Sequence, residues 1–210
     1  NVTAVPGDQK VTLYWDDTAE SSWDPISEAY DFEGYVIYRS TDPSFLDQQN
    51  ITDINGSRFL FEPLTTVTGG WAKWDLINDY EGPSDIPYSG RGISYHLGNN
   101  TGLVHSFVDS NNVMNGMRYY YAISSYDHGT KIMGIGPSES SKTITLNPET
   151  NEIFLDLNTG TAVPRAPAAG YVSGQIANYD SLSFMKRIDG YATGDFSLEV
   201  LNPEAIHDTN

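Results

Sequence analysis

The chain has 210 residues, with 11 basic against 28 acidic side chains, a formal net charge of -17 and no cysteine. That balance lacks the clustered Lys and Arg of a nucleic-acid or anionic-lipid footprint. The absence of cysteine excludes disulfide scaffolds, thiolate metal centres and cysteine nucleophiles. The apolar runs are short, β-branched or aromatic, and broken by Gly, Pro, Asn and Asp, which predicts an all-β chain. None approaches the roughly 18 apolar residues of a membrane span.

The first strand covers residues 2–5 and turns at Pro6-Gly7-Asp8-Gln9 into a second at 10–15. There Val11, Leu13 and Trp15 alternate with Thr12 and Tyr14, giving one strongly apolar face. Residues 16–33 form an acidic loop with Asp16, Asp17, Glu20, Asp24, Glu28, Asp31 and Glu33 and no Lys or Arg. A strong strand follows at 34–40. Residues 41–105 read as a long insertion with small hairpins of its own, one of them turning at Asn55-Gly56.

Regular strands return at 105–108 and 118–126, the second being the strongest in the chain, and a last one is expected at 142–146. The first domain closes at Asn147-Pro148. Residues 149–170, with Pro164 and Pro167, read as a linker. Beyond it, 172–176, 182–188 and 196–201 read as three short strands of a partial second β-rich module over 171–210. Three strands rarely close a sandwich, so the missing ones are expected from a longer parent chain or from a neighbouring copy by strand addition. The start at Asn1 rather than Met fits a fragment or processed product.

Four features carry a family resemblance, the first being the opening strand pair that ends in Trp15. Gly34-Tyr35-Val36-Ile37-Tyr38-Arg39-Ser40 resembles the third strand of a fibronectin type III domain, and Asn115-Gly116-Met117-Arg118-Tyr119-Tyr120-Tyr121 its sixth. Pro137-Ser138-Glu139-Ser140 before Lys142 resembles the entry to its seventh. The resemblance implies a fibronectin type III or immunoglobulin-like β-sandwich over 1–148, with Tyr119 as the corner tyrosine that ties its strand to the preceding loop. It also implies a spacer, adhesion or assembly role in a large extracellular or cell-surface protein of a bacterium, with neighbouring domains as partners.

Calcium takes six to eight oxygens, and the acidic loop can supply several, with Asp16, Asp17, Asp24 and Asp31 as the candidate metal ligands. A solvated, self-repelling loop explains the same residues. Trp71, Trp74, Tyr80 and Tyr88 fall in the insertion beside Asp and Asn, as in sites where ring faces stack on sugars. A small apolar core pinning the insertion down explains them equally. The four histidines stand far apart, and there is no nucleophile elbow, phosphate loop or dinucleotide fingerprint. The expectation is a non-catalytic structural or interaction module, calcium-stiffened, with carbohydrate binding as the alternative.

Overall fold

Alternating apolar residues over 10–15 and two long aromatic strands around residues 36 and 123 build two antiparallel sheets that face each other. The computed structural model describes residues 1–147, 149–150 and 152–170. Its strands, in chain order, are β1 (Val2–Gly7), β2 (Lys10–Trp15), β3 (Phe32–Ser40), β4 (Ile51–Thr52), β5 (Arg58–Leu60), β6 (Lys73–Asp75) and β7 (Pro83–Pro87). They continue with β8 (Ser94–His96), β9 (Ser106–Asp109), β10 (Tyr119–Asp127), β11 (Ile144–Leu146), β12 (Ile153–Leu155) and β13 (Thr159–Ala162). The chain divides after Ala166, and every one of these strands lies in the first unit, Asn1–Ala166. Among the described residues no helix is long and apolar enough to cross a membrane.

One sheet has the order β1-β2-β9 and the other β13-β10-β3-β6, so the fold is an all-β sandwich. Between the sheets lie Val11, Leu13 and Trp15 of β2, Tyr35 and Ile37 of β3, and Tyr119, Tyr121 and Ile123 of β10. The Tyr119 hydroxyl accepts from the Met114 backbone N–H at 2.9 Å and donates to the Asn112 carbonyl at 3.4 Å, tying β10 to the loop before it. A polar link also crosses the interior. Asp109, 1% exposed, takes the Arg39 guanidinium at 2.9 Å and the Tyr121 hydroxyl at 2.8 Å. Its charge is therefore paired and hydrogen-bonded, as burial requires.

β3 and β10 are buried on both faces. Their outward residues Val36, Tyr38, Tyr120, Ala122 and Tyr126 join Phe45, Tyr95 and Leu97 in a second apolar cluster. Residues 41–105 supply its cover through two hairpins, β4-β5 and β7-β8, and give β6 to the edge of the four-stranded sheet. The β4-β5 turn passes through Gly56 at φ +78°, the left-handed conformation glycine adopts without strain.

Two expectations are corrected. The strand at 142–146 shortens to β11 and pairs with β12 in a separate hairpin, so it is not the edge of the sandwich. The segment 149–170 is not a linker throughout. It contributes β12 and β13, and β13 pairs with β10 from Tyr119↔Ala162 to Ala122↔Thr159. β13 reads Thr-Gly-Thr-Ala, without the bulky alternation that marks a strand. Small residues suit it because β1 lies close: a Cβ on Gly160 would sit 3.2 Å from Ala4 Cβ. The expected strands over 172–201 and the partial module at 171–210 lie outside the described residues.

Candidate functional site

The outer cluster leaves a cavity of about 420 Å³ between the sheet and the insertion. Val36 and Tyr38 form its floor, and Phe59, Trp71, Tyr88 and Tyr95 stand among its walls. That volume lies in the range of small-ligand pockets, about 300–1,000 Å³. Three charged groups reach it: Lys73, Glu139 and Lys142.

Each of the three is already held. Glu139 accepts from the Tyr38 hydroxyl at 2.8 and 2.9 Å, the Tyr95 hydroxyl at 2.7 Å and Lys142 Nζ at 2.8 Å. Burial alone would raise its pKa, but Lys142 and the two hydroxyls outweigh it and hold Glu139 below the usual glutamate value. Lys142 Nζ stands 4.4 Å from the centre of the Tyr38 ring and 4.9 Å from that of Phe61. Lys73 Nζ sits between the Tyr95 and Tyr126 rings, at 4.1 and 4.0 Å, and donates to the His96 carbonyl. Burial lowers its pKa to about 8. Such an arrangement offers ring faces and fixed charges to a ligand.

The four insertion aromatics expected to act together are separated. Trp71, 47% exposed, and Tyr88 line the cavity. Trp74 packs into the sandwich interior, with ring centres 6.1 Å from Trp15 and 5.3 Å from Phe107. The pleat explains the split. Trp74 is paired with the inward Tyr35, and Lys73 with the outward Val36. Tyr80 lies elsewhere again, stacked on the His128 ring at 3.8 Å and 7°.

The acidic loop is separated too. Asp16 accepts from the Thr18 N–H at 3.2 Å and from the amino group of Asn1, and these hydrogen bonds lower its pKa to about 2. Asp17 precedes the short 3-10 turn Thr18–Ser21. Neither joins Asp24 and Asp31, because that turn and the Asp24↔Ala29 bridge fold the loop as two independent pieces. Asp24 and Asp31 meet Asp127 instead, with one oxygen from each within 4.8 Å of the others. Asp127 follows from the strand register. β3 and β10 run antiparallel with Phe32 opposite Asp127, which sets Asp31 beside it.

The three carboxyls differ. Asp24 accepts the Ile26 N–H at 2.8 Å and the Ser27 N–H at 3.3 Å, and the Ile26 bond leads in lowering its pKa. Asp127 takes the Ser138 N–H at 3.0 Å and its hydroxyl at 2.5 Å. Burial, with a contribution from Asp31, still raises its pKa. Asp31 is 4% exposed, and its Oδ2 has no hydrogen-bond partner.

Comparison with known proteins finds no matching family model, no matching curated protein and no matching solved structure.

Proposed function

We propose that this chain is a non-catalytic, fibronectin type III-like interaction module of an extracellular or cell-surface protein, and that it binds through the pocket its insertion builds on the four-stranded sheet. The observation that carries the reading is the state of that pocket. It is ligand-sized and mostly apolar, with aromatic rings on several sides, and its Glu139 is held ionised by Lys142 and two tyrosines. General acid–base work needs a group whose proton affinity is matched to the working pH and which is free to reach a substrate. Glu139 is lowered and fully hydrogen-bonded, and Lys73, with its pKa lowered to about 8, is enclosed by two tyrosine rings and committed to the His96 carbonyl. The family reading draws support from the central β3–β10 pair and from the Tyr119 hydroxyl bonded to the loop before its strand.

The test is titration of the chain with the fluorescent aromatic sulfonate ANS. The reading expects one molecule bound per chain at full native structure. Ser94→Trp, which fills the cavity from β8, abolishes binding without lowering Tm. Binding that survives Ser94→Trp, or that appears only on unfolding, would overturn it.

Carbohydrate is the second reading, favoured by Trp71 and Tyr88 on the same cavity. It expects soluble oligosaccharides to quench tryptophan emission in the wild type and not in Trp71→Phe.

A further inference from the structure

We propose that Asp24, Asp31 and Asp127 form a binding site for a divalent cation of calcium's class, clasping the loop before β3 to the turn after β10. The first support is spacing. One oxygen from each carboxylate lies within 4.8 Å of the other two. Calcium–oxygen bonds run about 2.3–2.6 Å, so ligand oxygens on one ion stand at separations of this order.

The second support is independent of the clustering. Asp31 is 4% exposed and its Oδ2 meets no donor. Buried polar atoms are nearly always satisfied, and a buried carboxylate oxygen lacking both donor and counter-charge is strongly unfavourable. Among the described residues no Lys, Arg or His forms an ion pair with any of the three aspartates. A bound cation supplies the charge they lack. The three also line a small cavity of about 170 Å³ with Ser22, Ser138 and Ser140, which leaves room for the ion and its remaining water ligands.

The donor set chooses the ion. All donors are hard oxygens, which excludes a preference for zinc or copper. Magnesium bonds at about 2.0–2.1 Å in a strict octahedron and sheds its water reluctantly, whereas calcium takes carboxylates in a looser and less regular shell. With the ion in place, the Asp24–Ala29 turn is held to the His128 end of β10, where the His128 N–H already donates to the Asp31 carbonyl at 3.0 Å. The cavity shares Ser138 and Glu139 with the aromatic pocket of the proposed function, but none of the three aspartates lines that pocket, so removing their charge tests the cation site by itself.

The experiment uses the full chain, stripped with EDTA and titrated with calcium chloride by calorimetry. One ion per chain is expected. Tm should rise by about 5–10 °C at a hundredfold excess of calcium over its Kd. Asp31→Asn with Asp127→Asn keeps the side-chain shapes, removes two charges and should lose both the heat and the Tm rise. Terbium gives a second readout that needs no folded variant. Trp23 and Tyr30 adjoin two of the ligands in sequence and meet edge to face with ring centres 5.1 Å apart, so they should sensitise its emission, and calcium should quench it by competition. Absence of heat, Tm shift and calcium-displaceable emission would overturn the proposal. So would calcium binding that the double variant leaves intact.

Discussion

At the scale of single residues, the molecule's acidity is selective in where it is stored. Glu33 is fully buried in β3, with Oε2 taking the Asn78 side-chain amide at 3.0 Å and Oε1 unpartnered. Burial, reinforced by Asp75, raises its pKa from 4.5 to about 7. An acid whose folded pKa is raised opposes folding once the unfolded chain can ionise. Below pH 4.5 both states hold the proton and the penalty is absent; it grows up to about pH 7 and is complete above that. Glu33→Gln should therefore stabilise the protein by about 2–3 kcal/mol at pH 8 and by almost nothing at pH 4. Urea unfolding at the two pH values checks this. The sequence marks Glu33 only as one more acid of the 16–33 loop, because burial depends on β6 and the loop near Asn78, which are remote in the chain. The metal candidates show the same limit. Loop composition marks Asp24 and Asp31 and a strand end marks Asp127, but only the register of β3 against β10 brings the three together.

Among the elements, β3 and β10 organise everything else, and both are plain in the sequence as long aromatic strands. Their double burial has a consequence at Gly34. A Cβ there would fall 2.2 Å from the Trp74 carbonyl and 2.8 Å from the Tyr126 hydroxyl oxygen, so β6 lies as close as it does only because residue 34 is glycine. Gly34→Ala should destabilise by about 2–3 kcal/mol through overpacking, and amide exchange should quicken first across β6. A denaturation midpoint equal to that of the wild type would show that β6 can move away freely. The elements that escaped sequence reading are the ones whose strand character comes from their neighbours. β13 is small and polar, and β6 has only three residues, Lys-Trp-Asp. Conversely, the pairing at Asn55-Gly56 was readable because type I′ and related turns need residues tolerant of positive φ, and Gly56 adopts it.

For the molecule as a whole, the corrected edge of the sandwich makes a direct prediction about boundaries. A chain cut after Asn147 lacks β13 and leaves the β10 edge open, an invitation to pairing between molecules. It should aggregate or melt without cooperativity, whereas a chain ending at Ala166 should unfold in one transition. Equal, cooperative melts for both would remove β13 from the stable core. The central claim, that the insertion turns a sandwich face into a binding pocket, is tested most directly by the tryptophan indole signals in a nitrogen-edited NMR spectrum. The four tryptophans report on separate places: Trp15 and Trp74 on the interior, Trp71 on the pocket and Trp23 beside the aspartates. Titration with ANS should move the Trp71 signal while Trp15, Trp23 and Trp74 stay in place. A Trp71 signal that stays fixed while ANS binds would contradict the account, because it would put the ligand somewhere other than the pocket.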